Sequence, residues 1–113
     1  MKYEEINKEI IEFVKERDWE KFHTPKNISM ALSVEASELL EIFQWQDDES
    51  FKKNKTEIIN ASKEEIADIF YYLVRMCQLL DVDLEDAFFE KMKKNKSKYP
   101  KEEYKSLSTW KNK

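Results

Sequence analysis

The amino-acid sequence predicts an all-α protein, and three observations favour this class. None of its 113 residues is glycine, and the only prolines are Pro25 and Pro100. The residues that dominate instead, such as Glu, Lys, Leu and Ile, are good helix formers. Apolar residues recur at helical spacing from the start of the chain, as at Tyr3, Ile6 and Ile10. A chain of this length is expected to form one domain.

The helical pattern divides into four helices, and each has recognisable ends. Thr24 and Pro25 are a typical helix start, with Thr as the cap and Pro in the first turn. Asp83 is a second candidate cap, and Pro100 lies just beyond the helix that follows it. The predicted helices cover about residues 2–17, 25–45, 57–80 and 84–97.

The rest of the chain is predicted to be irregular. A polar stretch at residues 46–55 is the one long loop that we expect. Residues 1–100 are expected to form the domain, and residues 101–113 a basic C-terminal tail.

Composition excludes several classes of protein. Without glycine, the chain has no Gly-rich phosphate loop and no dinucleotide fingerprint, which argues against P-loop kinases and Rossmann dehydrogenases. A single cysteine, Cys77, excludes an intramolecular disulfide and a zinc site built on cysteines. The chain starts in a charged amphipathic segment, and it has no apolar run of about 18 residues. We therefore expect a cytoplasmic protein with no membrane partner.

Charge is unevenly distributed along the chain. Residues 91–113 carry nine lysines against Glu102 and Glu103, a local charge of +7. Because the net charge of the chain is −4, the first ninety residues carry −11. A duplex-DNA binder presents a broad basic face, so we expect no nucleic-acid partner. An acidic body with a basic end fits metal cations and phosphate, although a solvated lysine-rich end is the simpler alternative.

Acidic residues lie within the apolar stripe of the second predicted helix. At about 100° per residue, Ile28, Leu39 and Ile42 fall within about 40° of Glu35. Glu38 lies about 60° to one side, whereas Glu41 falls on the far side, as a surface residue does. The helix therefore carries an acidic pair, Glu35 and Glu38, in a face that should be buried.

The third predicted helix repeats this arrangement. Ile69, Tyr72 and Met76 lie close to Glu65 around the helix, and Asp68 is again about 60° away. Unpaired buried carboxylates are costly, and few basic residues stand at matching positions. Arg75 is the candidate to approach Asp68, whereas Arg17 is remote in sequence. A divalent cation is the other source of positive charge, and Mg²⁺ takes oxygen ligands and bridges carboxylates to phosphates.

Two simpler interpretations, and one rival metal site that fits poorly, compete with a magnesium site. Ser62 and Glu65 have the spacing of a capping box, which would make Glu65 part of a helix start. Glu35 and Glu38 are also compatible with the rim of an ordinary charged helix. A di-iron bundle needs Glu-x-x-His pairs, and the only histidine, His23, stands in neither acidic motif.

Five blocks of sequence, taken in order, resemble a known family. The pairs Glu35-Ala36-Ser37-Glu38 and Glu65-Ile66-Ala67-Asp68 are similar to the E-x-x-E and E-x-x-D motifs of MazG-like, all-α nucleoside triphosphate pyrophosphohydrolases. Three further blocks resemble the dCTP pyrophosphatase branch of that family; they are residues 17–27, 41–45 and 91–100. The resemblance covers about residues 3–100.

The resemblance implies hydrolysis of a nucleoside triphosphate, with dCTP as one candidate, at the α–β anhydride, giving a monophosphate and pyrophosphate. Such an enzyme would serve nucleotide-pool sanitation or control of dCTP. The matching metal and catalytic residues are Glu35, Glu38, Glu65 and Asp68, with Mg²⁺ as the cofactor and Mn²⁺ as a substitute. One of these carboxylates would serve as general base, and the sequence does not distinguish which.

The resemblance also implies a set of substrate-binding residues. Aromatic residues would flank the base beside a histidine, and residues of the last helix would approach the phosphates. The matching positions are Trp19, His23, Trp45 and Tyr72 for the base, and Lys91, Asn95, Lys98 and Tyr99 for the phosphates. Packing in the core is the simpler interpretation for each aromatic side chain. Ile10 departs from the pattern, because some members have a polar ring there, and this bears on base selectivity.

Four helices in a chain this small do not cover the third helix on all sides. We therefore expect a four-helix MazG-like bundle that assembles as a homodimer or as a dimer of dimers. The competing function is a non-enzymatic helical module that uses the acidic pairs as a metal or partner site.

Overall fold

The computed structural model describes residues 2–105, and every regular element in this range is helical. The predicted all-α class is therefore confirmed. A short 3-10 turn at Glu20–Phe22 separates the first two helices. In chain order the α-helices are α1 (Tyr3–Glu16), α2 (Pro25–Phe43), α3 (Asp48–Lys53), α4 (Lys55–Leu80), α5 (Leu84–Lys98) and α6 (Lys101–Tyr104).

The predicted long loop at residues 46–55 is wrong, because α3 occupies most of it. The Asp47 carboxylate accepts the Ser50 backbone N–H at 2.8 Å, and the Ser50 hydroxyl accepts the Asp47 N–H at 3.0 Å. This reciprocal capping box starts the helix by satisfying two otherwise unpaired donors. No residue of α3 is buried, so the helix has no apolar stripe by which the sequence would indicate it.

The region predicted as an irregular tail also begins with helix. Residues Lys101–Tyr104 form α6, a single turn that follows Pro100. The Tyr99 and Tyr104 rings meet edge to face, with their centroids 5.2 Å apart. Residues 106–113 of the predicted tail lie outside the described part of the chain.

Two helices end in a left-handed residue although the chain has no glycine. Asp18 after α1 has φ 55°, and Asp81 after α4 has φ 54°. At each end the next N–H reaches back to the preceding helix, from Trp19 to the Val14 carbonyl at 3.1 Å and from Val82 to the Cys77 carbonyl at 2.9 Å. Aspartate tolerates this conformation better than most residues. The turn at Asp18 directs the chain into the Trp19–His23 segment.

The chain divides into two compact units, one ending at Val82 and the other beginning at Asp83. In the first unit, α1, α2 and α3 all pack against α4, and α2 makes the most extensive contact. Val14 and Val74 are completely buried at the centre. The remaining buried apolar residues are Ile10, Ile28, Ile58 and Cys77.

The second unit contains α5 and α6. Asp83 caps α5 by accepting the Asp86 backbone N–H at 3.0 Å, as its sequence position predicts. Lys91, Asn95 and Lys98 are spaced four and three residues apart, so they share one face of α5.

The helix α4 contains 26 residues, which is a sufficient length to cross a bilayer, but charged side chains interrupt it. Within residues 2–105, no helix is both long and apolar enough for a membrane span.

Candidate active site

The two acidic pairs lie on the two helices that make the largest contact in the first unit. Glu35 and Glu38 are on α2, and Glu65 and Asp68 are on α4. The start of α2 is fixed by the Thr24 hydroxyl, which accepts the Asn27 N–H at 3.1 Å. Helical spacing then brings both carboxylates of each pair to one side of their helix.

The capping-box interpretation of Glu65 is wrong. Ser62 is buried inside α4, and its hydroxyl donates to the Ile58 carbonyl at 2.6 Å. The helix begins at Lys55, more than two turns before Glu65. Glu65 is therefore an interior residue of a long helix, and its carboxylate is directed by helix packing.

Three of the four carboxylates converge. Glu35, Glu38 and Glu65 each provide one oxygen, and these oxygens all lie within 4.8 Å of one another. Glu35 Oε2 and Glu65 Oε2 are buried and have no hydrogen-bond partner. Asp68 is exposed and is not part of this group of three, although its charge acts on Glu35.

The carboxylates raise one another's pKa. The pKa of Glu35 lies above its ordinary value, first because the Glu65 carboxyl is close enough to share a proton, and second because of burial. The pKa of Glu38 is also raised, chiefly by the adjacent Glu35 carboxyl. Negative charge at this site is thus destabilised in the absence of a cation.

No basic side chain among residues 2–105 forms an ion pair with these carboxylates. The ion pairs in this range join Arg17 to Glu16 and Lys21 to Asp18. The expectation that Arg75 approaches Asp68 is not met, because Arg75 Nε donates to His23 Nδ1 at 2.9 Å. Buried, unpartnered carboxylate oxygens that form no ion pair within the described part of the chain fit a hard divalent metal ion.

A cleft of about 530 Å³ opens beside the acidic residues. This volume is within the usual range for small-molecule sites, about 300 to 1,000 Å³. Its lining combines carboxylates with aromatic rings; the residues are Glu9, Ile10, Phe13, Trp19, His23, Glu35, Asp68, Tyr71 and Tyr72.

The aromatic wall of the cleft is a series of edge-to-face contacts. Phe13 meets Trp19 with ring centroids 5.6 Å apart and Tyr71 at 5.9 Å. Tyr71 in turn meets Tyr72 at 4.9 Å. Burial raises the pKa of both tyrosine hydroxyls above its ordinary value.

The structure brings some predicted substrate-binding residues together and not others. Trp19, His23 and Tyr72 line the cleft with Glu35 and Asp68. Trp45 is 86% exposed, just beyond the end of α2, and does not line the cleft. The predicted phosphate-side residues belong to the second unit; they are Lys91, Asn95, Lys98 and Tyr99.

Other cleft residues were not identified as candidates from the sequence. Phe13 and Tyr71 have the helical spacing of core residues, which gives no sign of a role in binding. Glu9 resembles any exposed helical glutamate. Ile10 is buried at 7% exposure and contributes apolar surface to the cleft.

Comparisons with known proteins identify the family of this chain. The model of the MazG-like family matches residues 30–113. Among curated proteins, dCTP pyrophosphatase 1 of Bos taurus is 41% identical, over 86% of this chain and 59% of its own length. The corresponding protein of Homo sapiens is 40% identical, over 86% and 58%. The chain thus spans less than two thirds of the length of these curated relatives.

A solved structure extends the likeness to three dimensions. The crystal structure of a pyrophosphatase from Archaeoglobus fulgidus DSM 4304 is 40% identical and superposes with a TM-score of 0.82. The match covers 88% of this chain and 94% of that one. With a family model matching most of the sequence and the fold in agreement, this chain belongs to the MazG-like family.

Proposed function

We propose that this protein is a nucleoside triphosphate pyrophosphohydrolase that depends on a divalent cation. The observation that carries the proposal is the group of three carboxylate oxygens within 4.8 Å, two of the residues having a buried oxygen without a partner. This group borders a cleft with an aromatic wall. Similarity to proteins described as dCTP pyrophosphatase 1 and as a pyrophosphatase supports the reaction class.

Glu35, Glu38 and Glu65, together with Asp68, are the residues proposed to hold the cation. All are oxygen donors, which favours Mg²⁺, with Mn²⁺ as a substitute. When bound, the ion supplies neutralisation of phosphate oxygens and a lower pKa for water.

The reaction breaks the bond between the α-phosphorus and the oxygen that bridges to the β-phosphorus. Water supplies the new oxygen on the α-phosphorus, and pyrophosphate leaves. A carboxylate of the acidic group accepts the proton of the water. The raised pKa of Glu35 and Glu38 shows that this environment favours proton binding in the absence of a cation.

The cleft is proposed to hold the nucleoside. Trp19 and Tyr72 would stack on the base, and His23 would form a hydrogen bond with it. Phe13 supports this wall of the cleft through edge-to-face contacts with Trp19 and Tyr71. Stacking on aromatic rings contributes about 1–3 kcal/mol per base with little base selectivity. We propose dCTP as the first substrate to test, because of the similarity to dCTP pyrophosphatase 1.

The phosphate-side residues extend this proposal. Lys91, Asn95 and Lys98 share a face of α5, and Tyr99 follows directly. Lysine provides a compact positive charge suited to phosphate.

A homo-oligomer is part of the proposal. On α2, Met30, Val34 and Leu40 are 58%, 55% and 59% exposed, and on α4 Ile66 is 56% exposed. Exposed apolar side chains in these numbers favour a surface that a second copy covers in part, as in a dimer or dimer of dimers. We propose cytoplasmic nucleotide pools as the place of action, with no nucleic-acid or membrane partner.

Release of pyrophosphate tests the proposal. The protein is mixed with a panel of deoxynucleoside and ribonucleoside triphosphates and Mg²⁺, with EDTA as control, and kcat/KM is compared across the panel. We expect metal-dependent release that is fastest for dCTP. No release from any nucleotide would favour the alternative, a non-enzymatic metal-binding or interaction module.

A further inference from the structure

A series of polar contacts links the His23 ring to α1 by way of α4. Arg75 Nε donates to His23 Nδ1 at 2.9 Å, and Arg75 Nη1 donates to Gln78 Oε1 at 3.0 Å. Gln78 Nε2 donates to the Asn7 side-chain oxygen at 2.9 Å and to its backbone carbonyl at 3.2 Å. All four residues are half-buried. The guanidinium of Arg75 is therefore held by a second hydrogen bond, to Gln78, besides the one that it donates to His23.

This contact determines which nitrogen of His23 carries the proton. A guanidinium is a donor only and does not lose its proton in proteins. The ring nitrogen that accepts from it, Nδ1, must be unprotonated. Burial and then the charge of Arg75 lower the pKa of His23, so the ring is neutral at physiological pH. The single proton of the neutral ring is therefore on Nε2.

The remaining nitrogen is the one available to a ligand. His23 lines the cleft beside Trp19 and Tyr72, the residues that we propose to face the base. Because Nδ1 is occupied by Arg75, Nε2 is the ring nitrogen that a ligand can reach. An Nε2–H group donates to a carbonyl oxygen or to an unprotonated ring nitrogen. The opposite tautomer would accept from an amino group instead.

We propose that Arg75 is a positioning residue that fixes His23 as a hydrogen-bond donor to an acceptor atom of the nucleobase. This inference rests on the proposed function and deepens it. The atom of the base that accepts from His23 Nε2–H is then a carbonyl oxygen or an unprotonated ring nitrogen, such as O2 or N3 of cytosine. Arg75 acts through His23 and does not touch the nucleotide itself.

The tautomer is tested without any nucleotide. His23 is the only histidine in the chain, so the two ring nitrogens of a ¹⁵N-labelled sample are assigned without ambiguity. We expect the wild type to show an unprotonated Nδ1 and a protonated Nε2. Arg75→Leu removes the donor and should abolish this preference, whereas Arg75→Lys keeps a donor and should largely preserve it.

Arg17→Leu is the matched control. Arg17 lies 4.0 Å above the Phe13 ring at the cleft and donates to the Phe13 carbonyl, so the same substitution removes a nearby cation without removing the bond to His23. This variant should keep the wild-type tautomer. An unprotonated Nε2 in the wild type, or an unchanged ring spectrum in Arg75→Leu, would overturn the proposal.

Binding tests the contact to the base. The probes are α,β-methylene dCTP and deoxyribose 5′-triphosphate, which has no base, each with Mg²⁺. Loss of one hydrogen bond should weaken binding of the first probe to Arg75→Leu about tenfold, with partial recovery in Arg75→Lys. Affinity for the second probe should be retained.

The binding results distinguish failure of the base contact from failure of the proposed function. An equal loss of affinity for both probes would show that Arg75 has only a structural role, and would overturn the contact to the base. If neither probe binds the wild type, the proposed function and the base contact both fail, and the ring spectrum still decides whether Arg75 sets the tautomer. Thermal melting of each variant checks that it is folded.

Discussion

Glu35 on α2 and Glu65 on α4 bring carboxylate oxygens within 4.8 Å of each other across the two helices. Neither forms an ion pair with a basic side chain among residues 2–105. One oxygen of each is buried without a hydrogen bond. Two like charges so close, and partly removed from water, destabilise the folded protein unless they bind protons or a cation. The relationship therefore links stability, pH and metal binding to the same pair of residues.

Replacement of one predicted ligand should abolish activity and retain the fold. Glu38→Gln preserves size and helix propensity but removes a charged oxygen, so we expect kcat/KM to fall by orders of magnitude. Glu41→Gln is the control, because Glu41 is exposed on the far side of α2. The two variants are compared by pyrophosphate release and by melting temperature. Equal activity in both would remove the basis of the site assignment.

The double variant Glu35→Gln/Glu65→Gln should be more stable than the wild type in the absence of ligand. It removes the repulsion between the two carboxylates while conserving side-chain size. Melting temperature measured in EDTA checks this expectation. A double variant that melts below the wild type under these conditions would show that the carboxylates contribute favourable contacts instead.

Bound metal and nucleotide should make the wild type more stable than the double variant. A ligand that binds only the folded state at a hundredfold excess over Kd contributes about 2.7 kcal/mol of stability. Mg²⁺ with a non-hydrolysable dCTP analogue should raise the melting temperature of the wild type by several degrees, and Mg²⁺ alone should do less. The double variant should lose this response. A shift of equal size in the double variant would place the nucleotide elsewhere.

Stability without metal should depend on pH through the same carboxyls. The pKa of Glu35 in the folded protein lies above 4.5, so the folded state binds more protons than the unfolded state as pH rises from that value. The contribution of this group to the free energy of unfolding is present at low pH and is lost as pH rises through the raised pKa.

The advantage of the double variant over the wild type should therefore be small at about pH 4 and larger at about pH 7. Denaturant unfolding in EDTA at several pH values measures it. Glu41→Gln should show a much weaker trend, because the Glu41 charge is the last of the causes that raise the pKa of Glu38. A stability difference that does not change with pH would contradict the raised pKa of Glu35.

Trp19 should contribute binding to the nucleoside. Trp19→Ala removes a ring from the cleft wall and should raise KM about tenfold, with a smaller effect on kcat. Phe22→Ala is the matched control, because Phe22 lies in the same segment, is 58% exposed and does not line the cleft. Steady-state kinetics with dCTP compares them. A similar rise in KM for both variants would indicate a general disturbance of the segment.

The sequence predicted the long helices and the acidic pairs because both depend on periodicity. Glu35 and Glu65 stand out as charges within an apolar stripe, and their convergence follows once α2 packs on α4. The helix α3 was not predicted, because it has no buried apolar stripe that periodicity would indicate. A local capping box on Asp47 starts it instead.

The contact between Arg75 and His23 could not be predicted from sequence patterns. The two residues are 52 positions apart, and helical spacing suggested Asp68 as the neighbour of Arg75. Their contact depends on how the segment before α2 folds back onto α4, which tertiary packing decides. Trp45 and the residues on α5 remain predictions from the family resemblance.

Product analysis with a single nucleotide tests the central claim most directly. The wild type is incubated with dCTP and Mg²⁺ in ¹⁸O-labelled water, and the products are separated and weighed by mass spectrometry. We expect dCMP that carries one ¹⁸O atom, together with unlabelled pyrophosphate, and no reaction in EDTA or with Glu38→Gln. Formation of dCDP and phosphate, or no metal-dependent turnover at all, would contradict the account.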